Sequence, residues 1–486
     1  MRSASLIAAV ASLAPLAAAR PLDDCPANET VVTEIEIRPD IKHQQIEGFG
    51  FSGAFQRAQL LLNVTDQVQQ ELLDLIYNRE TGIGFSILRN GIGSSNSSYN
   101  DWMNTILPES PGSPDGEFNY VWDEYDSGQL FLAKKAVEYG VERIYANAWS
   151  APGFMKNNAD DANGGLLCGV PGSFDGNSAC EHDWRQAYAD YLVKYIQIYA
   201  AEGIKISDVA WLNEPDLTTS YASMRSNAEQ VADFLPILHK TLEDAGLDVG
   251  ISCCEQTGWQ ATQQMVSQIQ ALGVEHLLTT WAGHEYTSPI DAPLDTSLSV
   301  WQSEYCDLND RWTAAWDSGV SRGDGYRWAS ILHRALTVGN VNAYLWWLVV
   351  QDEATNDNNN EKLIMVEDGE YFLSKRTWAF AHYSRYIRPD AYRVETRGGD
   401  LSASAFENKD GSLVVVILNP HYHDETVSLE LISCRHRNKG WGKVTAWLTD
   451  EDHDIEEVEV EVDEDGYVKA ELPARGLITF RAVAEE

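Results

Sequence analysis

Two short strings carry side chains able to do acid–base and nucleophilic chemistry. In Trp211-Leu212-Asn213-Glu214-Pro215 an apolar run ends in Asn-Glu, and Pro215 stops a strand there so that the Glu projects from its end. In Trp301-Gln302-Ser303-Glu304-Tyr305 a second run ends the same way. A lone Glu at a strand end is ordinarily just solvated. Two that face each other across one pocket can split a glycosidic bond, one protonating the leaving oxygen while the other attacks the anomeric carbon. Arg89-Asn90, Trp149-Ser150, Glu255-Gln256 and His284-Glu285-Tyr286 end other apolar runs and supply further polar groups.

These residues need a scaffold that gathers many strand ends on one face. From about 46 to 390 the chain alternates short apolar or β-branched runs with helical patterns. The strands are expected at 45–52, 85–91, 143–150, 208–214, 248–255, 277–286, 298–305 and 341–350, with helices such as 66–77, 183–201, 228–245 and 325–336 between them. Eight strand–helix alternations predict a parallel (β/α)8 barrel. A doubly wound open sheet is the alternative, but a ring of polar residues drawn from many strands is what a barrel mouth requires. Glu214 then falls on the fourth strand and Glu304 on the seventh. Past 390 the period changes to two, with antiparallel strands around 414–417, 426–431, 444–448, 458–462 and 467–472. The segment 30–38 alternates likewise and is expected to pair with them. The α/β fold expected is therefore a TIM barrel over 46–390 with an attached antiparallel β-sandwich built from both chain ends, 20–45 plus 391–486. The acidic run 450–465 reads as solvated strand face and turn.

The chain has 486 residues, 35 Lys+Arg against 74 Asp+Glu, and a net charge of −39. That charge opposes binding to nucleic acid or to anionic membrane surfaces. The 16 Trp and 21 Tyr suit either stacking on sugar rings or a Trp-rich core. Residues 1–19 read as a signal peptide, with Arg2, the apolar run 6–16 and a small-residue cleavage site at 17–19. Asn28, Asn63 and Asn96 open N-glycosylation sequons, consistent with a secreted, extracellular protein. In that compartment Cys168 and Cys180, flanking a turn-rich segment, are expected to bridge, and the count of seven leaves at least one thiol unpaired within the chain. Gly48-Phe49-Gly50-Phe51-Ser52-Gly53 fits GxGxxG, but a strongly acidic secreted protein is a poor dinucleotide binder, and the glycines read as a tight turn. With no CxxC pair and no HExxH, no metal and no cofactor are expected.

The strings IEGFGFSGAFQ (46–56), LRNGIGSS (88–95), WSAPGFMK (149–156), WLNEPD (211–216) and WQSEY (301–305) resemble glycoside hydrolase family 30 through nearly the whole mature chain. The GAFQRA start and the Cys-containing fifth strand resemble its fungal xylan-acting branch, with fungal β-1,6-galactanases and β-1,6-glucanases as relatives. Phe154 departs from the Trp that many members carry in the third-strand loop. The resemblance implies a retaining enzyme with Glu214 as acid/base, Glu304 as nucleophile and Asn213 on the sugar 2-hydroxyl. Arg89 and Tyr286 would hold Glu304 ionised, and His284 lies beside them. Trp149 and Trp346 are expected to be stacking platforms, with Trp347 turned into the barrel packing. Arg57, after the first strand, would grip a uronate carboxylate with its planar fork. The expected protein is a monomeric secreted β-1,4-xylanase acting on plant cell-wall glucuronoxylan. A β-1,6-galactanase or β-1,6-glucanase, or a non-catalytic carbohydrate-binding barrel, are the alternatives, and a binding barrel has no need of both Glu214 and Glu304.

Overall fold

The structure, a computed structural model, describes residues 31–95, 102–433 and 440–483. The expected signal peptide, the sequons at Asn28 and Asn96, and Cys25 and Cys434 lie outside those residues, while Asn63 is exposed. Eight parallel strands close into a barrel: Gly48–Ser52, Ile87–Ile92, Arg143–Ala148, Asp208–Ala210, Gly250–Gln256, Thr280–His284, Ser299–Glu304 and Ala343–Asp352. The eighth pairs with both the first and the seventh, which completes the ring.

Their close spacing has a cost in side-chain volume. A Cβ on Gly50 would run into the backbone carbonyl of Ile87 on the second strand, so the glycine-rich first strand is a packing requirement. Below the mouth the lumen is filled by Ile87, Tyr145, Ala210, Trp301, Ala343 and Leu345. The tube is thus a solid core, and only its C-terminal rim is open to solvent.

Helices Asp66–Tyr77, Gln129–Glu138, Arg185–Ala201, Ala228–Asp244, Trp259–Ala271, Gly325–Thr337 and Lys375–Ser384 wrap the barrel. Asp66–Tyr77 starts where Thr65 accepts a hydrogen bond from the Val68 amide, and Ala228–Asp244 starts in a reciprocal Asn227–Gln230 capping box. One of the eight expected alternations lacks its helix: residues 285–298, between the sixth and seventh strands, form none. Pro289 and Pro293 deny that segment two backbone donors.

The strand Val31–Gln45 sits inside the second sheet, antiparallel to Tyr392–Arg397 and parallel to Glu425–Leu431. The sheet is therefore antiparallel except at this one seam between the chain ends. It buries Ile35, Ile37, Val415, Ile417, Val427 and Leu429 in a core of its own. Both sheet edges, Asp454–Val458 and Glu461–Val462, come from the acidic run. Exposed charge there disfavours pairing with another chain. The helix Lys375–Ser384 joins the two layers: His382 lies 2.7 Å from the Thr479 hydroxyl and 2.8 Å from that of Thr449. Cys168 and Cys180 are bridged, Cys253 and Cys254 are bridged to each other, and Cys306 is a buried free thiol. No helix among the described residues is long and apolar enough to cross a membrane.

Candidate active site

The rim of the barrel gathers the strand-end residues into one buried charge network. Arg89 leaves the second strand on the inward face. It donates to Glu304 on the seventh strand, to the Asn213 side-chain oxygen at 2.6 Å and to Glu255 on the fifth strand at 3.2 Å. His284, ending the sixth strand, spans two carboxylates: Nδ1 is 3.2 Å from Glu214 and Nε2 is 2.7 Å from Glu255. Tyr286 donates to the other Glu304 oxygen at 3.0 Å. Ser303 donates to Glu255 at 2.6 Å, and Tyr145 donates to its other oxygen.

Glu214 is placed by backbone rather than by strand. The fourth strand ends at Ala210, short of the expected 214. The Glu214 amide donates to the Glu255 carbonyl at 2.8 Å, and its φ of 48° turns the chain so that the side chain enters the mouth. One oxygen each of Glu214 and Glu304 and a ring nitrogen of His284 lie within 4.8 Å of one another.

The environments of these groups differ. Burial raises the Glu214 pKa, with the nearby Glu304 charge adding to it, against a lowering by His284. Glu255 is desolvated too, yet Arg89 and then His284 outweigh burial and hold it at about 2. His284 is driven the other way. Burial alone would lower it, but Glu304, Glu214 and Glu255 push it up to about 10. It is therefore an imidazolium at neutral pH, with both ring nitrogens donating.

Above the network lies a cleft of about 570 Å³. Its aromatic wall is Phe55, Trp149, Trp347 and Tyr221, with Phe55 in contact with the other three at centroid distances of 5.4 to 5.8 Å. Trp149 covers the Arg89 guanidinium, 4.6 Å from the ring centroid. The two tryptophans of the eighth strand have exchanged the expected places. Trp346 is fully buried on the helix side, against Trp328 and Phe380, with its indole N–H on the Glu361 carbonyl at 2.7 Å. Trp347 lines the cleft. The reason is register: Ala343 and Leu345 face the lumen, so Trp347 does too, while Trp346 pairs with Phe51, which packs outward on Tyr77 and Phe85. Phe154 is turned away onto Trp184.

Arg57 opens the short helix Arg57–Leu62 and lines the cleft, close enough to the buried Glu361 for its charge to offset part of the burial that raises that carboxyl's pKa. Thus Arg57, Arg89, Trp149, Asn213, Glu214, His284, Tyr286 and Glu304 come together at one rim, and Trp346 does not. Glu255, Tyr145, Ser303 and Phe55 belong to the same site. Glu255 was visible as a charged strand end opposite Arg89, whereas Tyr145 sits in mid-strand, where nothing in the local pattern distinguishes it from core.

The arrangement resembles that of known proteins. The family models described as the glycosyl hydrolase family 30 TIM-barrel domain and the glycosyl hydrolase family 30 beta sandwich domain match residues 46–246 and 390–480. The catalytic domain of a GH30 xylanase C from Talaromyces cellulolyticus superposes with a TM-score of 0.85 at 37% identity, over 93% of this chain and 100% of that one. An endo-1,6-beta-D-glucanase of Neurospora crassa is 25% identical over 83% of this chain and 85% of its own. A Bacillus subtilis glucuronoxylanase is 22% identical over 72% and 76%.

Proposed function

The chain belongs to glycoside hydrolase family 30, and from that premise we propose a secreted, retaining β-1,4-xylanase acting on glucuronoxylan. The observation that carries the retaining mechanism is the approach of Glu214 and Glu304, with one oxygen of each inside 4.8 Å. Retaining pairs stand about 5–5.5 Å apart, whereas an inverting pair needs about 6.5–9.5 Å to hold a water between. Glu304 attacks the anomeric carbon, forming an ester to the sugar, while Glu214 gives its proton to the departing glycosidic oxygen. Glu214, now a carboxylate, takes a proton from water, whose oxygen displaces Glu304 and restores both groups. The Asn213 side-chain oxygen already accepts from Arg89, which leaves its NH2 group to donate to the sugar 2-hydroxyl.

Xylan is favoured by the 37% identity to the Talaromyces xylanase over nearly the whole chain, against 25% to the Neurospora β-1,6-glucanase. The latter similarity keeps β-1,6-glucan as the second reading. Product analysis on glucuronoxylan, arabinoxylan, β-1,6-galactan and β-1,6-glucan in parallel decides between them, and turnover confined to either β-1,6-glycan refutes the xylanase reading. The leader-like N-terminus and the sequons support secretion.

Arg57 is the proposed reader of a glucuronic-acid branch. A charged hydrogen bond of about 1.5–3 kcal/mol corresponds to roughly ten- to a hundredfold in kcat/KM. Arg57→Ala should lower activity on glucuronoxylan by that factor and leave linear xylo-oligosaccharides nearly unchanged. An equal fall on both substrates makes Arg57 scaffold for the cleft and Glu361.

A further inference from the structure

In the sandwich, far along the chain from the cleft, the turn before the strand Glu425–Leu431 reads His421-Tyr422-His423-Asp424-Glu425. The bend through His421 and His423 folds their rings back toward Glu425 at the start of the strand, and one possible ligand atom from each of the three lies within 4.8 Å of the others. His421 Nε2 is 3.6 Å from a Glu425 oxygen, and His423 Nδ1 is 3.8 Å from the same oxygen. Asp400, on the neighbouring turn through Gly398 and Gly399, brings its carboxylate to 3.2 Å from His421 Nε2. We infer that His421, His423 and Glu425, with Asp400 beside His421, form a binding site for a divalent transition-metal cation of the zinc type.

Three observations support this. The first is spacing. Ligands about 2.0–2.1 Å from a tetrahedral zinc stand about 3.3–3.4 Å from one another, and the 3.6 and 3.8 Å separations of His421 and His423 from the Glu425 oxygen are that edge slightly expanded. The second is an unanswered atom. His421 Nε2 is buried and lies 3.2 and 3.6 Å from two carboxylates, yet it is hydrogen-bonded to neither. A nitrogen aimed between its neighbours, at a common centre, has that geometry. The third is support behind the ligands. Glu425 is 1% exposed, and its other oxygen takes the Thr33 hydroxyl from the N-terminal strand. The His421 amide donates to the Asn419 side chain at 2.8 Å, and its carbonyl receives the Arg475 amide at 3.1 Å. Such backing orients ligands in metal sites. The 3.4 Å contact of His423 Nδ1 with the Asp424 carbonyl is long enough to yield to a metal. The donor set, two imidazoles and the Glu425 carboxylate, matches zinc or copper(II) rather than calcium, which prefers oxygen alone. An ion there ties the Asp400 turn to the strand that pairs with the N-terminal segment, at the seam between the chain ends.

The test uses the full-length mature protein without a histidine tag, stripped with chelator and titrated with zinc chloride. One equivalent should bind, raise Tm by about 2–5 °C, and leave glycan hydrolysis unchanged. Cobalt(II) in its place should show the intense visible bands of a tetrahedral ion. His423 is exposed, so His423→Ala should fold normally and weaken zinc binding at least about tenfold; Asp400→Asn provides a second variant outside the core. Failure of the wild-type protein to take up stoichiometric zinc overturns the inference. Equal uptake by wild type and His423→Ala, or uptake accompanied by inhibition, places the ion elsewhere and overturns it too.

Discussion

Glu255→Gln probes the buried network without touching the cleft. Every neighbour of the Glu255 carboxylate is a donor: Arg89, Tyr145, Ser303 and the His284 imidazolium. A Gln there keeps one accepting oxygen but aims an NH2 group at donors, and it leaves Arg89 short of a counter-charge at a site with no solvent. Removing one partner of a buried ion pair costs about 3–5 kcal/mol. The pH dependence identifies the cause. His284, raised from 6.5 to about 10, contributes stability that is complete below 6.5 and lost as the pH rises through about 10. Glu255, lowered from 4.5 to about 2, contributes stability present above 4.5 and lost as the pH falls through about 2. The difference between wild type and Glu255→Gln should therefore be greatest between 4.5 and 6.5 and should shrink toward either extreme. Denaturant unfolding across pH 3 to 10 measures it. A difference below about 1 kcal/mol at pH 5.5, or one that is flat with pH, would refute the network as described. On activity, loosening Arg89 and His284 displaces the groups they position, and a misplacement of about 1 Å costs roughly 10²-fold in rate.

Glu214→Gln and Glu304→Gln should each remove nearly all turnover while the near-ultraviolet circular dichroism stays native, and the first-formed product of the wild type should carry the β-anomer by proton NMR. An α-anomer there rejects the retaining assignment. Trp347→Ala should raise KM for oligosaccharides by weakening stacking with modest loss of stability, whereas Trp346→Ala should lower stability by about 3–5 kcal/mol; thermal melts and steady-state kinetics on both variants separate the roles. Cys168→Ser should cost about 3 kcal/mol, because the bridge closes a loop with a separation of 12 residues; denaturant unfolding with and without reductant checks this, since the variant should no longer respond at that bridge.

What was legible in the sequence followed from periodicity and punctuation. The helix Asp66–Tyr77 is found at its expected bounds because Thr65 caps it and its apolar face repeats cleanly. The helix Lys375–Ser384 has no such stripe: Thr377, Phe380, Ala381, His382 and Tyr383 are buried around it, wedged between barrel and sandwich. The eighth strand was located, but Trp346 and Trp347 are adjacent and both aromatic, so facing depends on a parity that only pairing with the first strand supplies. The carboxylates at strand ends were visible as types in place. That Glu255 acts beneath the mouth while Glu214 and Glu304 line it depends on depth, which a linear pattern does not encode. The same is true of His421, His423 and Glu425: their alternation is plain in the sequence, but Asp400 joins them only through the neighbouring turn.

Charge balance across the rim offers a physical reason for the two proposed roles. Arg89 and His284 bring two positive charges into a region closed to water. Glu255 and Glu304, both in contact with Arg89, bring two negative ones. Ionising Glu214 as well would leave an uncompensated charge in a medium where that is expensive. Burial, with the nearby Glu304 charge, raises the Glu214 pKa, which favours holding a proton there. A group that keeps its proton beside a paired carboxylate is what general-acid catalysis of glycoside cleavage requires. Once Glu214 has given that proton away, the imidazolium 3.2 Å from it is already in place to stabilise the new carboxylate. By then Glu304 has become a neutral ester to the sugar. The network returns to two positive and two negative charges at the intermediate, with no rearrangement of the protein. Division of labour between two chemically identical side chains thus follows from which of them Arg89 holds.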